Sequence, residues 1–246
     1  MTTTRTDLKP LVTITGASSG IGAATAKAFS QAGHPLLLLA RRIDRMQALD
    51  LPDGICKEVD VLDRQAIASA IQEAEAKFDP TEYFINNAGV MHNGDPITQD
   101  PEEWDRMIDV NLKGVMNGIH AVLPGMVERE SGTIVNMGSI AGRKTFGTHS
   151  VYCGTKFGVH AITETIREEV SQKNVRLITM APGMVGTELI ETITDPAAKQ
   201  GWLDYAESIG GPLVPEDIAD AIVWVCQAPQ RMCVHEMVIC PTRQEP

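Results

Sequence analysis

No run of roughly 18 apolar residues, the length a membrane helix needs, occurs in this chain, and no charged-then-apolar signal pattern opens it. The sequence therefore reads as cytoplasmic, with no membrane association. Cysteine is sparse: Cys56, Cys153, Cys226, Cys233 and Cys240 make five, an odd number without metal-type spacing. A reduced protein is expected rather than a disulfide framework. No cluster of histidines and acids suggests a metal. Positive charge is in deficit, with 21 Lys and Arg against 32 Asp and Glu, a formal charge of −11. An acidic surface disfavours nucleic acid and anionic membrane. It also speaks against an acyl-carrier protein, itself acidic, as the carrier of a substrate. Repeats and low-complexity tracts are missing, and the polar stretch Met1 to Lys9 reads as a frayed start.

What is present suits one α/β domain spanning residues 1–246, with 43% apolar residues for a large core. Strand-like runs at 11–15, 35–40, 55–59, 82–87, 132–138, 175–181 and 234–240 alternate with helical stretches at 20–33, 64–78, 101–129, 150–173 and 215–228. The helix beginning Pro101-Glu-Glu carries acids in its first turn, which suits the macrodipole. Such alternation predicts a doubly wound, seven-stranded parallel sheet with helices on both faces, a single-domain Rossmann fold.

Leu11 to Thr15 is a β-branched run. The glycine-rich turn Gly16-Ala-Ser18-Ser19-Gly20-Ile21-Gly22 follows, and then a stretch of helix formers. Strand, glycine turn and helix in that order can cradle a phosphate, because the helix N-terminus offers unpaired N–H groups. A plain structural turn is the alternative. His34 to Ala40 predicts a second strand ending at Arg41 and Arg42, and the first acid beyond it is Asp44. An acidic residue at that tip selects the free ribose 2′-hydroxyl, whereas arginine suits a 2′-phosphate. NADP(H) is therefore expected over NAD(H), unless both arginines are only solvated charge.

Tyr152 and Lys156 lie four apart on the predicted 150–173 helix, so they share a face, and Ser139 ends the apolar run before it. A neighbouring ammonium would move the phenol's pKa down from about 10. Such a phenol could exchange a proton with an alcohol or carbonyl oxygen.

Taken together, Thr15-Gly16-x-x-x-Gly20-Ile21-Gly22, Asn86-Asn87-Ala88-Gly89, Asn111, Ser139, Tyr152-x-x-x-Lys156 and Pro182-Gly183-Met184-Val185-Gly186-Thr187 resemble the short-chain dehydrogenase/reductase family, over essentially the whole chain. The ending Val238 to Gln244 resembles the NADP-dependent 3-hydroxy acid and clavulanate-type members, with Cys240 where their usual ending has arginine. The resemblance implies that Tyr152 is the general acid in reduction and the base in oxidation. Lys156 would hold the nicotinamide ribose and lower the tyrosine's pKa, Ser139 would bond the substrate oxygen, and Asn111 would hold a water linking the lysine to solvent. Asp60 and Val61 would meet adenine, and Asn87, Ala88 and Gly89 would cover the adenine ribose. Pro182, Gly183, Val185 and Thr187 would meet the nicotinamide. Each has a plainer alternative: Asn111 bonded to backbone inside a helix, Ser139 capping the next element, Asp60 forming a turn. The family also pairs its 101–129 and 150–173 helices across homodimers and often forms homotetramers.

The segment 187–211 resembles the family's variable substrate lid; an ordinary surface helix pair is the alternative. Met91, Met137, Met184 and Phe146 could line an adaptable apolar pocket or belong to the core. Arg143 and Lys144 could meet a carboxylated substrate, although a solvated loop suits them better. His149 and His160 flank the Tyr-Lys pair, and His160 fits a supporting or interface place better than a catalytic one. The function expected is an NADP(H)-dependent carbonyl reductase or alcohol dehydrogenase, acting on a ketone, aldehyde or secondary alcohol. The rival readings are a dinucleotide-sensing binding protein and a carrier-dependent β-ketoacyl reductase.

Overall fold

The computed structural model describes residues 9–245, so the polar start lies outside the described residues except for Lys9. Seven strands form one sheet: β1 (Leu11–Thr15), β2 (Leu36–Ala40), β3 (Gly54–Glu58), β4 (Thr81–Asn86), β5 (Gly132–Met137), β6 (Val175–Pro182) and β7 (Glu236–Ile239). All neighbours pair in parallel, in the order β3-β2-β1-β4-β5-β6-β7. The chain winds outward from β1 to β3, crosses back, and winds the other way from β4. The switch between β1 and β4 opens a crevice at the carboxyl ends of the strands, where doubly wound sheets bind ligands.

Both faces of the sheet are covered, so β1, β2, β5 and β6 are buried along their whole length. Leu11, Leu37, Leu39, Phe84, Ile134 and Leu177 face one core. It lies under α3 (Arg64–Lys77), α5 (Gly114–Glu128) and α6 (Ser150–Val170). The alternate residues Val12, Ile14, Leu36, Leu38, Ile85 and Ile178 face the other core with Phe29 of α1 (Gly20–Gln31) and Ile218 and Ile222 of α8 (Pro215–Gln227). Each such side chain contributes about 1.5–3 kcal/mol by leaving water.

Three differences from the sequence reading stand out. A five-residue helix, α2 (Ile43–Gln47), follows the arginines at the end of β2; it is too short to show a helical period. The 101–129 stretch is not one helix: α4 (Pro101–Ile108) passes through a π turn, Asp109–Lys113, into α5. Finally, 187–211 folds into a 3₁₀ turn, Glu188–Thr192, and the helix α7 (Pro196–Ser208). The π turn sets how α5 seats on the sheet. A Cβ on Gly118 would stand 2.3 Å from Asn86 Oδ1 and 2.8 Å from Phe84 Cε1, so only glycine lets the helix come that close.

Candidate active site

Thr15 ends β1 and laces the two halves of the sheet together. Its hydroxyl accepts the backbone N–H groups of Asn87 at 3.0 Å and Ala88 at 3.1 Å. In return, Asn87 Nδ2 donates to the Thr15 carbonyl at 3.1 Å and to that of Gly16 at 3.2 Å. Gly16 turns the chain at φ +66, and a Cβ there would stand 2.8 Å from Ala88 Cα. A Cβ on Gly22 would stand 2.4 Å from the Gly16 carbonyl oxygen. The glycine spacing is thus set by backbone approaching backbone. Ser19 precedes α1 without capping it by side chain, which leaves the helix's first N–H groups to an anion.

At the end of β2, Arg42 reaches over this cradle. It donates to Ser18 Oγ at 3.2 Å and to Ser19 Oγ at 2.8 Å, and pairs with Glu188 at 3.0 Å. Arg45 meets the same Glu188 at 2.7 Å, and the two guanidiniums hold that carboxyl below the usual range. Arg41 is exposed beside them. Asp60 accepts the Leu62 N–H at 3.0 Å, so its carboxylate does form the local turn while lining the cleft with Val61.

Across the crevice, β5 delivers Met137 and then Ser139, and α6 presents Tyr152 and Lys156, both buried. The Ser139 hydroxyl accepts the Ala141 N–H at 3.0 Å, capping the 3₁₀ turn Ile140–Gly142, and also hydrogen-bonds the Tyr152 phenol. Lys156 Nζ donates to the Met137 carbonyl at 2.8 Å and lies 5.7 Å from the centroid of the Tyr152 ring. Burial pushes the phenol up to about 12, with the Ser139 bond opposing it, and pulls the lysine down to about 8. This corrects the sequence reading, in which the ammonium lowered the phenol. Inside the fold both charged forms lose water, and that loss is the largest influence on each.

Asn111 sits in the π turn, where its Oδ1 accepts the Val90 N–H at 2.9 Å and its Nδ2 donates to the Val90 carbonyl at 2.9 Å and Thr155 Oγ1 at 3.3 Å. Both ends of its amide therefore clamp the chain that follows Gly89. The plainer alternative, an asparagine bonded to backbone inside a helix, describes this side chain.

One cavity of about 860 Å³ joins these parts. It runs from Arg41 and Arg42 past Gly16, Ser18 to Ile21 and Asn87 to Gly89. It reaches Ser139, Tyr152 and Lys156, then Pro182, Gly183, Val185 and Thr187, and opens between Met91, Phe146, Met184 and Trp202. Gly22 and Asn111 stand behind its wall. The residues matched residue by residue to the family's motifs thus converge on one crevice.

Residues 10–198 match the family described as short chain dehydrogenase. The chain belongs to that family. An uncharacterised oxidoreductase of Staphylococcus saprophyticus is 40% identical over 240 residues, covering 95% of this chain and 96% of that protein. Sulfoacetaldehyde reductase 2 of Chromohalobacter salexigens is 36% identical over 248 residues, covering 96% of each. Among solved structures, the closed form of a serine dehydrogenase complexed with NADP+ superposes with a TM-score of 0.89 at 31% identity, covering 96% of both chains. A metagenomic short-chain oxidoreductase in complex with NADP gives 0.78 at 27% identity, covering 95% of this chain and 97% of that one.

Within this short-chain oxidoreductase, Glu188 and Arg106 of the cleft and Arg45 beside it carried no signal of their own in the sequence. Glu188 and Arg45 bind each other across 143 positions. Arg106 lines the cavity from α4. Gln244 Oε1 accepts the Met184 N–H at 2.8 Å, tying the end of the chain under the 183–184 turn. Of residues 187–211, the first part is pinned: Thr192 Oγ1 accepts the backbone N–H of Met91 at 2.9 Å, and Asp195 takes the Asp95 N–H at 3.3 Å. Gly210 and Gly211 close its far end at φ +84 and +104.

Proposed function

We propose that this oxidoreductase is NADP(H)-dependent and moves hydride between nicotinamide and a ketone, aldehyde or secondary alcohol, with Tyr152 as the general acid or base. The observation that carries this reading is the meeting of Ser139, Tyr152 and Lys156 in the same cleft that begins at Arg41 and Arg42. Arg42 together with the Ser18 and Ser19 hydroxyls forms a donor cluster suited to a 2′-phosphate, and the end of β2 itself carries no acid to select a free ribose hydroxyl, Glu188 reaching Arg42 from the 3₁₀ turn. The NADP bound in two related structures supports the same choice.

When bound, the nicotinamide supplies or accepts the hydride; the chain does the rest. The glycine turn and the N-terminus of α1 receive the phosphates. Asp60 and Val61 border the adenine end, and Asn87 to Gly89 border its ribose. Pro182, Gly183, Val185 and Thr187 hold the nicotinamide side. Ser139 fixes the substrate oxygen by hydrogen bond and steadies charge that develops there. In reduction Tyr152 gives its proton to that oxygen; in oxidation it removes it. Lys156 holds the ribose hydroxyls and stabilises the phenolate, and Asn111 holds a water that links the lysine to solvent.

Residues 1–246 act as one dinucleotide-binding domain, with 187–211 as the lid that excludes water around the transferring hydride. The chain works as a cytoplasmic homodimer or homotetramer. Supporting this, Met116 on α5 and Phe157 on α6 each leave 41% of their surface exposed, a cost that pairing would remove. A dinucleotide-sensing binding protein is the second reading, and the retained Tyr152-Lys156 pair disfavours it.

The test is a panel of aldehydes, ketones and secondary alcohols followed by NADPH absorbance. It includes sulfoacetaldehyde and serine because relatives carry those names. Tyr152→Phe should bind NADPH normally and turn over about 10²–10⁴-fold more slowly. Unchanged turnover in that variant would remove the assigned proton transfer.

A further inference from the structure

Beneath Ser139 lies a side chain that the proton transfer does not use. His160, one helical turn beyond Lys156, points its imidazole into the loop 138–142. Its Nε2 accepts the backbone N–H of Ser139 at 3.4 Å. A Cβ on Gly138 would stand 2.3 Å from that Nε2, and one on Gly142 would stand 2.5 Å from it. The two glycines flanking the serine turn are therefore the space in which the ring sits, and the loop wraps over it. On the far side, His160 Nδ1 meets Glu236 Oε1 of β7 at 3.4 Å, and Glu236 is held in turn by Arg143 at 2.8 Å. An acceptor at Nε2 requires the proton on Nδ1, facing the carboxylate, so Glu236 selects the tautomer that Ser139 needs.

We propose that His160 is the positioning residue for Ser139, bracing its loop so that the hydroxyl points at the substrate oxygen, with Glu236 and Arg143 fixing the ring. This rests on the reading that Ser139 bonds that oxygen. The ring lies outside the cofactor cleft, so it acts only through the serine loop.

The arrangement also makes the serine's place depend on pH. Three charged groups face the ring: Glu236 from β7, Arg143 from the loop after the 3₁₀ turn, and Lys156 from its own helix. Burial is the largest influence and lowers the ring's pKa below 6.5; Glu236 opposes this, while Lys156 and Arg143 add to it. At neutral pH the ring is uncharged and accepts the Ser139 N–H. Protonated in acid, Nε2 becomes a donor, loses that bond and turns toward a carbonyl instead. The serine loop then shifts.

The full-length protein with isotope-labelled histidine and serine tests this by nuclear magnetic resonance. His160 should appear as the Nδ1–H tautomer at neutral pH, and the Ser139 amide resonance should move with the His160 titration. In His160→Gln, whose amide oxygen can replace Nε2 as acceptor, that movement should vanish. In turnover of the fastest compound in the panel, His160→Ala should lower kcat about 10- to 100-fold with NADPH affinity kept within about twofold. His160→Gln should recover most of kcat and lose the acid limb that His160 gives the wild-type profile. A Ser139 amide indifferent to the His160 titration, or full kcat in His160→Ala, would overturn the proposal. Full turnover in Ser139→Ala would instead bring down the role of the serine itself, and the resonance coupling would still be readable.

Discussion

Lys156 stands 5.7 Å from the centroid of the Tyr152 ring while its ammonium donates to the Met137 carbonyl at 2.8 Å. The pair is held by two different elements, helix and strand end. Of the two, the lysine titrates first. Its pKa is drawn down to about 8, whereas the phenol is pushed up to about 12.

It follows that the alkaline limb of kcat/KM in the reductive direction should fall near pH 8 and belong to Lys156. Below that pH the ammonium is charged and can stabilise the phenolate that forms; above it the charge is lost and the rate drops. A pH profile of kcat/KM checks this. A limb appearing only beyond about pH 10, the ordinary phenol value, would mean that the lysine stays charged.

Arg42 contributes three hydrogen bonds to Ser18 and Ser19 that a phosphate could share or replace. Arg42→Ala should weaken NADPH by about 10- to 100-fold, the worth of one or two charge-assisted hydrogen bonds. NADH should change by about twofold or less. Fluorescence titration with both cofactors reads the difference, and equal losses would refute the phosphate role.

Gly22→Ala should unfold the cradle, because its Cβ would lie 2.4 Å from the Gly16 carbonyl and 2.5 Å from Asn87 Nδ2. Backbone must move, so the melting temperature and NADPH binding should fall together. Gly201→Ala in α7 is the control, since a Cβ there meets nothing within 4 Å. That substitution should stabilise by about 0.5–1 kcal/mol, the helix penalty of glycine.

Acid should destabilise the fold before its carboxylates protonate. Burial lowers the pKa values of His34, His149 and His160 below 6.5 in the native chain. The unfolded chain therefore binds their protons first, and stability falls as pH drops through about 6.5 toward the native values. Urea midpoints at neutral and mildly acidic pH measure this. His34→Gln should flatten part of the slope, because that ring is buried between Phe29 and Tyr83 and bonded to the Pro10 carbonyl at 2.8 Å.

Much of the fold was legible because β1, β2 and β6 place apolar residues on both faces with few polar ones between, the pattern of a covered parallel sheet. The order of strands was not written in any one of them; it follows from crossovers that depend on the whole chain. Each residue of the cleft that carries a family motif lies at a strand end or on the helix after it. Glu188 was not legible, because its partners Arg42 and Arg45 lie far away in sequence and meet it only in the folded chain. Nor could spacing reveal the pKa order of Tyr152 and Lys156. Helical periodicity places them on one face but says nothing of how deeply the sheet buries them. His160 lay on that same face by the same rule, yet its contact with Ser139 depends on two glycines in another element.

The π turn at Asp109–Lys113 has one consequence for how this chain tolerates changes of length. A π turn holds one residue more than an α turn over a similar advance, so α5 is phased by a single surplus position. Deleting one residue there would let the helix close regularly and would leave everything after it in nearly the same phase, because the surplus residue is absorbed within the turn itself. Gly118 would keep its seat against Phe84, and the change would fall on Asn111, which would be released from Val90. A shortening that spares the core would here loosen the wall of the crevice from behind.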